Sequence, residues 1–239
     1  LFHTLVMYNY LKYTLPKTKY FLHFNDLSPL SLLLKDYFQS KNVKTIYVQH
    51  ASVTNKFPPL SFDYNLLFSK DSFDKYENPQ RKYVSILNDL RFDDKLKLPP
   101  PKSLKPYRVL LVTNKRDEID KLEILLSELS KIDSIEEVIF RKHPDDKTNY
   151  KFFKRNTKVK FSNNSLINDL EKSNIVLLNE TNVILEAIYH SRTVIKCSFL
   201  GDNSDNYGFV KNALVRNEYK NLKNLINDLK KQKQFKKRN

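Results

Sequence analysis

Short apolar runs alternate with longer amphipathic stretches along the chain, and the period of each predicts its element. Lys19–Phe24 reads as a strand. Ser28-Pro29 then offers a hydroxyl cap and a first-turn proline, and Leu30, Leu33, Leu34, Tyr37 and Phe38 follow at helical spacing as far as Lys41-Asn42. Thr45–Gln49 and Tyr64–Phe68 are the next strands. Further on, Arg108–Thr113 predicts a buried strand, and Ile119, Leu122, Leu125, Leu126 and Leu129 a helix. Glu137–Phe140, Asn174–Leu178 and Thr193–Cys197 read as strands. Leu166, Ile167 and Leu170 mark a short helix, Val183–Tyr189 another, and Tyr219, Leu222, Leu225, Ile226 and Leu229 a closing amphipathic one. Strands separated by helices predict parallel α/β sheets.

Pro99-Pro100-Pro101, with Pro106 beyond, can neither continue a helix nor sit in a central strand. The run reads as a stiff linker. The expected organisation is a Rossmann-like half over residues 1–98, a proline linker over 99–106, and a second Rossmann-like half over 107–239 with a basic tail. The fold class is therefore α/β, with the parallel sheets of two halves facing a cleft, because open α/β sheets bind ligands beyond the carboxyl ends of their strands.

Composition narrows the function. The 239 residues suit one large domain or two small ones, and 40% apolar content is enough for a core. The single cysteine, Cys197, excludes an internal disulfide and a cysteine-rich zinc site, and fits reducing surroundings. No uncharged run approaches the roughly 18–20 residues of a membrane-spanning helix. The chain opens at Leu1 without the charged start of a secretory signal, and its N-terminal half is expected to be truncated. Only Gly201 and Gly208 are present, too few for a P-loop or a dinucleotide fingerprint. A net charge of +15 points to an anionic partner. Residues 220–239 hold eight Lys or Arg against one acid, Asp228, which is either a solvated tail or a surface-binding one. No nucleic-acid-binding signature is present, so nucleic acid is not the favoured partner.

Several stretches fall at strand exits. His50, in YVQHAS, is placed either as a general base or as a loop histidine held by hydrogen bonds. In FRKHPDD, Arg141, Lys142 and His143 precede Pro144, a turn that either binds phosphate or simply carries solvated charge. Thr181 and Asn182, in LLNETNVILEA, begin a helix whose first N–H groups are a seat for phosphate or merely need a cap. Glu186 lies one turn in, facing ribose hydroxyls or solvent, and Asn25-Asp26 is a cap prelude or an acid facing an acceptor. No His/Asp/Glu cluster has metal-ligand spacing, so no metal and no cofactor are expected.

The order FNDLSPLSLLL, IYVQHAS, FPPL, YNLLFSK, the proline run, FRKHP and SNIVLLNETNVILEAIYHSRTVIK resembles bacterial GT-B glycosyltransferases of capsule and surface-polysaccharide biosynthesis. It is similar to the CMP-sugar sialyltransferases and Kdo-transferase-like enzymes, and to the CDP-glycerol glycerophosphotransferases, over residues 20–215. The resemblance implies a metal-independent transferase joining a cytidine-activated donor, a CMP-sugar foremost, to a glycan or glycolipid acceptor. His143 with Pro144 would contact the cytidine nucleotide, and Arg141 and Lys142 would neutralise its charge. Thr181 and Asn182 would hold the donor phosphate and Glu186 the ribose. His50 would be the base of the N-terminal half, and Asp26, from its place at a strand exit, is the second catalytic candidate. Ala51 stands where the family has glycine, and Asn182 where it has a second hydroxyl. A UDP-sugar transferase or epimerase, and a non-catalytic module binding anionic lipid or nucleic acid, are the competing readings. The expected location is cytoplasmic, peripheral on the inner face of the membrane through the basic tail.

Overall fold

The computed structural model describes residues 17–25, 27–77, 83–87, 97–101, 105–148 and 158–231, together with residues 6, 10, 13, 15, 92, 103, 150 and 235. The chain divides into two compact units, Leu1–Arg91 and Phe92–Asn239.

The first unit holds a four-stranded sheet of β1 (Tyr20–His23), β2 (Lys44–Val48), β3 (Tyr64–Leu67) and β4 (Val84–Ile86), in that spatial order, with every neighbouring pair parallel. Helix α1 (Pro29–Ser40) joins β1 to β2. Ser28 Oγ accepts the N–H of Ser31 at 3.2 Å, satisfying one of the donors that a helix start leaves open. Asn42, at φ 58°, turns the chain out of the helix in the left-handed region that asparagine tolerates. Tyr47, Phe62, Leu67, Phe73 and Tyr76 form the core beneath the sheet. Ser69 caps the short helix α2 (Lys70–Asp74), which packs Phe73 into that core.

The second unit holds six strands: β5 (Tyr107–Val112), β6 (Ile135–Arg141), β7 (Val159–Phe161), β8 (Ile175–Leu178), β9 (Thr193–Cys197) and β10 (Glu218–Tyr219). Their spatial order is β10-β9-β8-β5-β6-β7, and all pairs are parallel. From β5 the chain moves outward to β7, then restarts on the other side at β8. This is the doubly wound Rossmann order, and its direction reverses between β5 and β8.

Because side chains alternate along a strand, β5 feeds two cores. Val109 and Leu111 pack with Leu122, Leu125, Leu126 and Leu129 of α3 (Ile119–Ser130). Leu110 and Val112 pack on the opposite face with Leu170 of α4 (Leu166–Lys172) and with Ile184 and Ala187 of α5 (Val183–Tyr189). Helices on both faces explain why β8 and β9 are buried at every position. Each fully buried leucine contributes about 1.5–3 kcal/mol.

One expectation changes here, and several elements go beyond the sequence pattern. Tyr219 lies in β10, not in the last helix; α6 (Leu222–Lys230) starts after Asn221, whose side chain accepts the N–H of Asn224 at 3.3 Å. β4, β7 and β10 escape the sequence pattern because three or two residues are too few to display a period. The five-residue α2 escapes for the same reason. Finally, the proline run is stitched into the second unit. Leu98 N–H donates to His190 Nδ1 at 3.1 Å, and Arg192 Nη1 donates to the Pro99 carbonyl at 2.9 Å.

Candidate functional site

Open parallel sheets bind ligands where the strand order reverses, so the carboxyl ends of β5 and β8 are the place to look. The residues that leave these strands are polar and tied to one another. Thr113, buried at the end of β5, accepts the backbone N–H of His143 through Oγ1 at 3.1 Å. The next residue, Asn114, donates from Nδ2 to the Glu180 carbonyl beyond β8. Successive residues of one strand end thus hold the turn after β6 on one side and the turn after β8 on the other. β6 and β8 flank β5, so the turns that carry His143 and Thr181 leave the same end of the sheet, from strands roughly 10 Å apart.

The His143 turn is fixed in detail. Asp146 N–H donates to the His143 carbonyl at 2.9 Å, and Asp145 N–H to the ring Nδ1 at 3.2 Å. The neutral ring therefore carries its proton on Nε2, which is the donor it offers. Lys115 holds Asp145 at 2.5 Å, and this contact keeps the Asp145 carboxyl below its ordinary value. Arg141 and Lys142 face into the fold. Arg141 Nη1 reaches buried Asp169 at 2.8 Å and the Asn164 carbonyl at 2.8 Å. Lys142 Nζ donates to the Thr148 carbonyl at 2.7 Å and lies 5.4 Å from the Tyr150 ring centroid. Both cations are thus held by groups of the fold on either side of His143.

Beyond β8, Thr181 Oγ1 accepts the N–H of Val183 at 3.4 Å, while Asn182 makes no side-chain cap. Thr181 therefore already serves one of the first helical N–H groups. Glu186 sits half-buried on the first turn of α5. In the first unit, His50 is exposed on the loop after β2. Gln49, buried beside it, clamps that loop: its Nε2 donates to the Ala51 carbonyl at 2.7 Å and to Ser72 Oγ at 3.1 Å, and its Oε1 accepts Phe68 N–H at 2.9 Å. Asp26 lies outside the described residues. On either side of it, Asn25 Oδ1 accepts the N–H groups of Leu27 at 3.0 Å and Ser28 at 2.9 Å, leading the chain into α1.

Sequence reasoning missed a cleft at the switch point. It measures about 260 Å³ and is lined by Asn114, Asn179, Glu180, Gly201, Ser204 and Asn206, among others. Asp117, nearly buried, accepts Asn114 N–H at 2.6 Å and Asn179 Nδ2 at 3.1 Å. Burial pushes its carboxyl up to about 6 against these two bonds. Gly201 lies close to this side chain: a Cβ there would stand 2.8 Å from Asn179 Nδ2 and would displace it. Beneath the cleft, fully buried Lys196 of β9 pairs with Glu180 at 2.6 Å and Asp205 at 3.3 Å, and donates to the Ser204 carbonyl at 2.6 Å. The signals available in sequence were Asn114 and Asp117 directly after RVLLVT, and a lysine inside the apolar run TVIKC.

Cys197 is fully buried and its thiol is pushed far up by that burial, so it is no nucleophile. Among the described residues, no group of three or more His, Cys, Asp or Glu side chains could hold a metal ion, and no helix is long and apolar enough to cross a membrane.

No family model and no curated protein sequence matches the chain. Solved structures do. The UDP-GlcNAc 2-epimerase of Neisseria meningitidis bound to UDP-GlcNAc superposes with a TM-score of 0.61 at 10% identity, over 95% of this chain and 70% of that one. A variant of the wall teichoic acid polymerase TagF, soaked with CDPG, gives 0.55 at 14% identity, over 89% of this chain and 62% of that one. TarM of S. aureus, in complex with Fondaparinux, alpha-GlcNAc-glycerol and UDP, gives 0.53 at 13% identity, over 95% and 51%. The chain thus spans about three fifths of the TagF chain and half of the TarM chain. Together with the two parallel α/β units, these likenesses identify the fold as GT-B, built of Rossmann-like halves.

Proposed function

We propose that the chain is a glycosyltransferase-type enzyme of surface-polymer synthesis that binds a cytidine-nucleotide-activated donor in its second unit. The observation that carries this reading is the bridge across β5: Thr113 holds the His143 turn and Asn114 holds the turn that precedes Thr181. A ligand seated at this reversal of strand order would meet an imidazole donor on one side and a hydroxyl at a helix start on the other. That pair suits a nucleotide with its phosphates. The sequence resemblance supports a CMP-sugar or a CDP-linked polyol, and the likeness to TagF with CDPG supports the second of these. The likeness to the epimerase bound to UDP-GlcNAc favours a UDP-sugar as the competing donor.

On this reading the leaving phosphate gains charge as its bond to the transferred group breaks. His143 Nε2–H and Thr181 would stabilise that charge more in the transition state than in the ground state. Glu186 would bind the ribose, and Pro144 would set the turn. His50, with Asp26 as a second candidate, would take the proton from the acceptor hydroxyl; loss of such a base lowers rates by roughly 10²–10⁴. Arg141 and Lys142 would act through the turn rather than on the phosphate. The basic segment 220–239 would recruit the enzyme to an anionic membrane face, where glycolipid acceptors lie.

A calorimetric or thermal-shift screen against CMP, CDP, UDP and UMP tests the reading. Saturable binding of a cytidine nucleotide, weakened by His143→Ala, is expected. Binding of none of the four nucleotides would refute it.

A further inference from the structure

The cleft at the switch point has a chemistry that selects among donors. Its walls carry three carboxamides, Asn114, Asn179 and Asn206, and the hydroxyl of Ser204. Asn114 and Asn179 are locked in place by Asp117 and the Glu180 carbonyl, so they are preorganised. Asn179 is buried, yet its Oδ1 has no hydrogen-bond partner among the described residues, which calls for a donor. Asn206 Nδ2 donates to Ser204 Oγ at 2.6 Å, which orients that hydroxyl.

Charge is the second observation. Among the described lining residues Arg116 is the one cation, facing the carboxylates of Glu118, Glu180 and Asp202. Arg116 is one of the groups that hold the Asp202 carboxyl below its ordinary value, after the bonds from Ser204. Glu180 is matched from below by Lys196 at 2.6 Å. Glu118 is paired with Lys121 at 2.7 Å, and Glu180 shares the single Lys196 with Asp205 and Glu218, so an entering carboxylate would meet one lining cation, Arg116, at a site where acids outnumber cations. A neutral group rich in hydroxyls would find both donors and acceptors. The cleft, at about 260 Å³, has room for a polyol or a monosaccharide.

We infer that this cleft receives the transferred group of the donor, and that this group is an uncharged, hydroxyl-bearing one, a polyol or neutral hexose, rather than a carboxylate-bearing sugar. The inference rests on the donor-binding reading above and narrows its substrate class.

The test is a set of paired titrations of the full chain: CDP against CDP-glycerol, UDP against UDP-GlcNAc, and CMP against CMP-sialic acid. At least one neutral donor should bind about ten-fold tighter than its bare nucleotide, as one or two hydrogen bonds supply, and CMP-sialic acid no tighter than CMP. Gly201→Ala, which displaces Asn179, and Asn206→Ala, at an exposed position, should each remove that advantage while leaving the bare nucleotide's affinity unchanged. A gain for CMP-sialic acid alone overturns the inference, as do equal affinities within every pair or a parallel loss of nucleotide binding in Asn206→Ala. In all three cases the wild-type protein still binds the bare nucleotide. If no nucleotide binds wild-type protein, the donor-binding reading fails and the inference fails with it.

Discussion

Thr113 Oγ1 accepts the backbone N–H of His143 at 3.1 Å, so the end of one strand sets the position of an imidazole that follows its neighbour. The contact joins residues thirty positions apart in sequence. It predicts that Thr113→Val will behave as a weaker copy of His143→Ala. His143→Ala removes the Nε2–H donor itself and should weaken cytidine-nucleotide binding about ten-fold or more, the size of one hydrogen bond to a charged group. Thr113→Val keeps the imidazole but loosens its turn, and should cost about three-fold. Calorimetry on both variants checks the order. A Thr113→Val effect equal to or larger than that of His143→Ala would contradict the arrangement.

Lys196 is a fully buried cation of the second unit. Lys196→Met keeps the volume but leaves Glu180 and Asp205 facing each other without a cation, at 8% and 23% side-chain exposure. Breaking a buried pair from one side typically costs about 3–5 kcal/mol. Chemical denaturation should show a loss of that order. Hydrogen exchange should show the segment around Ser204 and Asp205 opening first, since both lose their contact with Nζ. A loss below about 1 kcal/mol would mean that the cluster does not anchor this segment.

Asp117 gives stability a pH dependence with a definite sign. Its carboxyl stands at about 6 in the fold against 3.8 ordinarily, because burial disfavours the charge. Its favourable contribution is complete below the unfolded value and is lost as pH rises through the folded one. Ionisation therefore costs about 3 kcal/mol above pH 6. Asp117→Asn removes this dependence. Relative to that variant, the wild type should lose thermal stability steadily between pH 4 and 6.5. Parallel melting curves over that interval would contradict the account.

His190 titrates in the opposite sense. Burial, followed by the nearby Arg192 and Lys97 charges, holds its pKa below the ordinary value, and its Nδ1 accepts the Leu98 N–H. The neutral ring is the one the fold requires, so its contribution is present above the unfolded value and is lost as pH falls through the folded one. Limited proteolysis should show the proline run becoming susceptible as pH drops from 7 to 5. His190→Ala should show the same susceptibility already at pH 7.

Parts of this were legible from the chain alone. Strong periods mark real elements: the leucines of α3 and the run RVLLVT sit where the spacing puts them, because burial on both faces leaves no choice about which residues are apolar. The strand exits that carry His143 and Thr181 were also visible, since exits can be read once strands are known. The fate of Arg141 was not visible, because its partner Asp169 comes from another helix 28 residues away, and no local rule pairs them. The cleft was equally hidden. Asn114, Asn179 and Gly201 belong to three separate turns, and no local rule joins them.

The order of apolar and polar residues by itself determined the alternation of strands and helices, and so the parallel α/β class. Those are consequences of local geometry and of side chains choosing between water and core. The tertiary structure alone decided which strand ends are neighbours and which charges are neutralised within the fold. Strand order and ion pairing depend on contacts between segments far apart in the chain, and periodicity carries no record of them.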